Sequence, residues 1–291
     1  MALRAILLPV IGDGQSPAEL SVGVAVAQTF AVHLDAVFIR PDPAEAFQYM
    51  GFGTANRDAL ERDMRQRVDL VGGAQAERHR RRFGTLCRKA GLSRAHRPEA
   101  GRRATAAWQT LTGEAAELVP AIARRADLSV FTASPARYNP LIENLLEVTL
   151  LRSGRPVLFV PEGAAVSPFA RPLVAWDNLS GCARAVSALV DLAGEATAAM
   201  VLHVSEEAGE EEPDMSDVIA HLGWHGIAAE TITRPQGGAR VGATLLDMGE
   251  DIGADLLVMG GYGHGRYREA LLGGVTRFII RHARLPVLMA H

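Results

Sequence analysis

The chain has 291 residues, of which 48% are hydrophobic and 22% charged, and its formal net charge is −3. That balance excludes a disordered or collagen-like chain, and it leaves no global basic field to draw in nucleic acid or an anionic membrane, so neither is an expected partner. The length favours about two domains, and two cysteines, Cys87 and Cys182, are too few and too far apart for a disulfide framework, which fits a reducing cytoplasm.

The first element is the apolar run "AILLPV" from Ala5. Gly12 and Asp13 close it too soon for a secretory leader, so it reads as a strand. No later run approaches the ~18 apolar residues of a membrane span. Beyond Pro41 the chain becomes charged: "NRDALERDMRQRVDLVGGAQAERHRRRFGTLCRKAGL" predicts one or two helices. The basic cluster Arg78 to Arg82 is interspersed with acids, as in a solvated helix face rather than a nucleic-acid patch. Then "AELVPAIARRADLSVFTAS" gives a helix and a strand, and "SGRPVLFVP" closes the first half with another strand.

A Pro/Ala/Gly/Ser linker, Pro161 to Pro172, precedes a second round of the same signals. "PLVAW" is a strand, "ARAVSALVDLA" has helical spacing, and "AAMVLHV" is a strand. In "VGATLLDMGEDIG" one stripe holds Val241, Leu245, Met248 and Ile252, with Gly253 as the helix stop. "ADLLVMG" is a buried strand, Val275, Phe278, Ile279 and His282 line a helix, and "LPVLMA" is the last strand.

The two rounds are copies. Ala-Asp-Leu-x-Val stands at 126–130 and again at 254–258, Pro156 matches Pro286, and Arg4 matches Arg171. The first copy carries extra residues within about 41–110. Continuous apolar strands alternating with helices predict an α/β fold, two tandem doubly wound parallel-sheet domains at 1–165 and 168–291.

In such sheets ligands sit beyond the carboxyl ends of strands. There the second copy reads "MGGYGHGRYREALLGGVTRF", with Gly260 to Gly265 leaving a strand and Gly273 and Gly274 preceding a helix. Glycine-rich turns bring backbone N–H groups close to an anion, and a helix start adds its own free N–H groups, so two such nests facing one space imply a polyphosphate. A Walker loop fails because Arg266 and Tyr267 stand where Lys and Ser/Thr belong, and a dinucleotide fingerprint fails for want of its third Gly and distant acid. His221 and His225 have metal-ligand spacing with no acid or Cys to complete a set, and no metal site is expected.

The letters satisfy Gly-x2-Gly-x9-Gly at Gly260, Gly263 and Gly273. Together with a strand ending "AWD" and another ending "LHV", this resembles the universal stress protein family, twice over in tandem. The resemblance implies ATP, AMP or ADP as ligand, with or without Mg2+, and a stress-response role. It implies Asp177 against ribose or adenine with Ala175 and Trp176 beside it, Val204 against adenine, Met259 and Gly260 lining the pocket, and Gly263, Gly273, Val275 and Thr276 around the phosphates. Arg266 and Arg268 could fold over them. Gly274 replaces the family's Ser or Thr, which removes a hydroxyl donor. Asp177 reads equally as a helix cap.

The first copy has Pro135 in place of Gly263 and none of the motif glycines, so it is expected to act as a pseudo-symmetric partner. The resemblance also implies pairing of the domains through their last strands, 157–160 with 287–290, and allows a homodimer. No catalytic residue stands out near the glycines, which leaves three readings: a nucleotide binder, a slow ATPase, or a nucleotide-free adaptor.

Overall fold

The computed structural model describes residues 3–12, 18–42, 57–95, 103–134, 139–193, 198–205, 214–235, 240–262 and 274–291. The first half runs β1 (Ala5–Val10), α1 (Glu19–Phe30), β2 (His33–Arg40), α2 (Arg57–Lys89), β3 (Ser93–Arg94), β4 (Thr105–Thr112), α3 (Ala115–Ala123), β5 (Leu128–Phe131), α4 (Pro140–Ser153) and β6 (Val157–Phe159). The second runs β7 (Pro172–Ala175), α5 (Ser180–Ala193), β8 (Ala198–Ser205), α6 (Ser216–Trp224), β9 (Ala228–Pro235), α7 (Val241–Asp251), β10 (Leu256–Gly260), α8 (Gly274–His282) and β11 (Val287–Ala290).

These strands form one eleven-stranded sheet in the order β3-β4-β2-β1-β5-β6-β11-β10-β7-β8-β9. Each half is doubly wound: its first strand is central, three strands in the first half and two in the second extend to one side, and the chain then returns to add two on the other. Among the described residues every neighbouring pair is parallel except β6 with β11, where Val287 faces Phe159, Leu288 faces Leu158 and Met289 faces Val157. That antiparallel seam joins the halves about a pseudo-two-fold axis.

The repeated Ala-Asp-Leu-x-Val has a repeated physical task. Asp127 accepts the backbone N–H groups of Arg4 and Ala5 at 2.9 Å each, and Asp255 accepts those of Ala170 and Arg171 at 2.7 and 2.9 Å. One carboxylate therefore pins the start of β5 to the start of β1 in the first half, and the start of β10 to the start of β7 in the second. The matching prolines serve alike: the carbonyl of Pro156 accepts from Ser129 N–H and that of Pro286 from Leu257 N–H.

Apolar residues on the two sheet faces make two cores, and each core draws residues from both halves. One lies beneath α1, α2, α5 and α6, the other beneath α3, α4, α7 and α8. Local sequence sets the helix limits. Asn139 accepts from Leu141 N–H at 3.0 Å and Pro140 follows at the first helical position, so α4 starts there; Gly154, at φ +68°, ends it. Gly253, at φ +61°, follows the last turn of α7 as the stop that the sequence predicts.

The charged segment after β2 forms a single 33-residue helix. At 1.5 Å per residue α2 is about 50 Å long, nearly twice the span of an eight-residue strand, so it overshoots the sheet. Within its basic cluster Arg80 and Arg81 both bind Glu77, at 2.7 Å, and hold that carboxyl down to about 2. Among the described residues no helix is long and apolar enough to cross a membrane.

Candidate functional site

In the second half the topology reverses between β7 and β10. Their parallel register sets Ala175 beside Met259, so the carboxyl ends of the two strands open on one edge together. Beyond Ala175 the chain must turn into α5. Trp176 N–H bonds Leu202 O of β8 at 2.8 Å, Asp177 Oδ1 accepts Leu179 N–H at 2.9 Å, and Asn178 adopts φ +59°. Asp177 therefore closes the turn that leads into α5 rather than capping the helix itself, whose first free N–H groups lie beyond Leu179, and its carboxylate stays exposed.

The start of α5 leans directly on β10. A Cβ added to Gly260 would lie 3.0 Å from Cys182 N and 3.2 Å from the Gly181 carbonyl carbon, and one added to Gly181 would lie 3.4 Å from Gly260 Cα. Glycine at both positions lets helix and strand backbones touch. Gly260 thus has a packing reason to be glycine, independent of any ligand. The close contact also seals Cys182: burial, then the nearby Asp177 carboxylate, push its thiol up to about 12, and burial raises Cys87 to about 11. We expect iodoacetamide at mildly alkaline pH to spare both cysteines in the folded protein and to modify both in denaturant. Rapid labelling of native Cys182 would contradict this packing.

Ala175, Val204 and Met259 lie on the sheet face covered by α7 and α8, where Val275 also packs. Trp176 belongs to the opposite face and packs on the core beneath α5 and α6. Its carbonyl is engaged by His203 Nδ1 at 3.1 Å. Gly274 opens α8 and is exposed, whereas Thr276 in its first turn is 3% exposed. Thr276 Oγ1 accepts Tyr262 N–H at 3.2 Å, so this hydroxyl oxygen already has a partner inside the fold. Gly263, Arg266 and Gly273, like His264 and Arg268, lie outside the described residues.

Sequence reasoning missed the anchor that surrounds Tyr262. Its φ is +53°, its hydroxyl donates to Glu147 at 3.3 Å, and Glu147 also accepts Arg277 Nη2 at 3.0 Å. One turn earlier on α4, Glu143 is held by Arg281 through two bonds of 3.0 and 2.9 Å. Two carboxylates of the first half thus grip α8 and Tyr262 of the second. Partners more than a hundred residues apart leave no local spacing signal.

The first half builds the same edge differently. α1 opens on Glu19, only 2% exposed, whose carboxylate lies 3.6 Å from His79 Nδ1 of α2, and the His79 ring packs on Phe38 at 5.4 Å. A carboxylate there supplies from within the chain the negative charge that a helix N-terminus attracts. Gln75 of α2 approaches the turn after β1, 3.6 Å from where a Gly12 Cβ would stand. Thr132, buried, occupies the position of Gly260 in the repeat.

The arrangement is that of a doubly wound α/β protein whose strand ends meet at a switch point. Residues 169–291 match the model of the Universal stress protein family, and this region of the chain is a universal stress protein domain. No curated protein matches the chain. A universal stress protein from Archaeoglobus fulgidus DSM 4304 is 19% identical, with 98% of this chain and 95% of that one covered and a TM-score of 0.68. A putative universal stress protein from Pseudomonas aeruginosa UCBPP-PA14 is 14% identical over 99% of this chain and 92% of its own, at a TM-score of 0.50. At such identities the likeness is one of fold. A universal stress protein solved in complex with cAMP is 17% identical, with 43% of this chain and 99% of that one covered and a TM-score of 0.31.

Proposed function

We propose that the second half binds one adenine nucleotide, ATP, ADP or AMP, at the edge formed by β7 and β10, and that the protein serves a stress response through that binding. The supporting observation is the adjacency of the two strand ends at the switch point, with the start of α5 pressed against Gly260. In this reading Asp177 accepts from ribose or adenine with the carboxylate oxygen it does not spend on Leu179, and Ala175, Val204 and Met259 supply the apolar wall. The glycine segment from Gly263 to Gly273 contributes backbone N–H groups to the phosphates, beside Gly274 and Val275, and Arg266 adds charge. Thr276 acts through Tyr262, by holding the two flanks of that segment together. The first half, 1–165, carries a buried carboxylate, Glu19, at the start of α1, the counterpart of the α5 start that frames the site in the second half, and acts as the pseudo-symmetric partner of 168–291.

Calorimetric titration with ATP tests the reading residue by residue. Asp177→Asn keeps an acceptor for Leu179 N–H but puts an NH2 donor where the ligand-facing oxygen stood, so the turn should hold while Kd rises by about tenfold. Asp177→Ala loses both roles, and its Kd should rise by about ten- to a hundredfold. Gly263→Pro deletes a backbone donor and should abolish binding with the fold retained. Equal affinity in all four proteins would reject the residue assignments, and no heat in wild type at millimolar ATP would favour the adaptor reading.

A further inference from the structure

The two ends of the eleven-stranded sheet are unlike. One is closed by β3, a strand of two residues; the other is β9, eight residues long, bonded to β8 on its inner side and unpaired with any described strand on its outer side. A long open edge offers a row of free backbone groups to another strand, and proteins usually shorten or cover such edges. The sequence of this one, Glu230-Thr231-Ile232-Thr233-Arg234, has a further property: read antiparallel against itself about Ile232, it is complementary at every position. Glu230 falls opposite Arg234 of a second copy, Thr231 opposite Thr233, and Ile232 opposite Ile232.

The backbone agrees with that register. Arg234 O is held by Ser205 Oγ of β8 at 3.4 Å, which turns the backbone groups of Arg234 inward; by alternation those of Thr231 and Thr233 point outward. Outward residues are the ones that must face each other in a new ladder, and the self-complementary register pairs Thr231 with Thr233. Glu230 and Arg234 then form a non-hydrogen-bonded pair, the kind whose side chains stand closest. Both side chains are exposed, and neither is ion-paired among the described residues. Pro235, outward by the same alternation, has no N–H to give to Ala229 of the second copy, so the new ladder ends before it. The last strands of the two halves, β6 and β11, already occupy each other inside the chain and are not available for this purpose.

We propose that β9 is a homodimer interface: two copies of this chain pair antiparallel through their β9 edges about a two-fold axis at Ile232, extending the sheet across both molecules. Two-fold symmetry requires that each contact occur twice, so each dimer carries two Glu230–Arg234 pairs. Eight residues per copy make a small interface, and the association is of the reversible, concentration-dependent kind.

Sedimentation velocity of the full chain over a wide concentration range tests this. The expected result is a reversible shift toward twice the 31.1 kDa of one chain. Glu230→Arg alone, and Arg234→Glu alone, each turn two attractions into two repulsions and should raise the dimer Kd by about tenfold or more. The double variant Glu230→Arg/Arg234→Glu restores opposite charges across the axis and should recover the wild-type Kd to within about threefold, on the same pair energies. All three changes are at exposed side chains, and unchanged circular dichroism would show that each variant folds. A chain that stays monomeric at the highest concentration overturns the proposal. So does a dimer indifferent to either reversal, and so does a double variant as weak as the singles.

Discussion

Gly260→Val is expected to destabilise the protein by about 1–3 kcal/mol, the usual range for forcing atoms into a closed contact. The new Cβ would sit 3.0 Å from Cys182 N, and the obstacle is main chain rather than the tip of a flexible side chain. Either β10 or the start of α5 must retreat. The retreat would also part the two elements that frame the switch-point edge, so nucleotide affinity should fall with stability. Gly261→Ala offers a comparison, because its Cβ would meet Leu150 Cδ2 of α4, a core side chain of the first half. A urea midpoint for Gly260→Val equal to that of wild type would show that α5 does not press on β10.

The second large effect is an asymmetry across the seam. Glu143 is 7% exposed and Arg281, its bidentate partner, has a side chain 45% exposed. Arg281→Leu strands a buried carboxylate whose remaining cation, Arg277, stands 3.6 Å away. The loss should be about 1–3 kcal/mol, reduced from the fully buried case because the arginine is half in water. Glu143→Leu removes the buried charge itself, and the Arg281 side chain, 45% exposed, is already in contact with water, so its cost should stay within about 1 kcal/mol. Chemical denaturation of the two variants decides the matter. Equal losses, or a larger one for Glu143→Leu, would mean that the buried carboxylate is not what makes the pair important.

Much of this architecture could be read from the chain because duplication made it audible twice. Asp127 and Asp255 occupy the same slot in the same motif and each binds two successive backbone N–H groups, with Arg4 and its match Arg171 common to both; Pro172, which matches Ala5, has no N–H, so Ala170 supplies the second group there. The parallel, doubly wound sheet followed from strands apolar on both faces, as β5 and β10 are. β9 escaped notice for the opposite reason. Only Ala229 on one face and Ile232 on the other pack on a core, so the strand has no clean alternation, and "AAETITRP" looks like a polar loop. Gly72 and Gly73 similarly left open whether α2 is one helix or two. The helix runs through them with Gly72 buried close to the Arg40 side chain, where a Cβ would lie 3.7 Å from Arg40 Cδ.

Site residues divide along the same line. Ala175 and Met259 were named from the family resemblance, and the parallel register of β7 and β10 sets the two side by side because adjacent parallel strands carry their carboxyl ends together whatever the side chains are. Trp176 and Thr276 were not fully legible, since the face that Trp176 takes and the partner that Thr276 finds depend on neighbours far away in sequence. The grip of Glu143 and Glu147 on α8 had no signal at all, each acid being 130 or more residues from its arginine.

The account turns on where an adenine ring comes to rest. Photolabelling the full chain with an 8-azido adenine nucleotide, followed by peptide mapping, addresses this directly. Label is predicted on peptides that contain Ala175 to Asp177 or Val204, and unmodified ATP should compete it away. Label on the first half, or label that excess ATP does not displace, would contradict it.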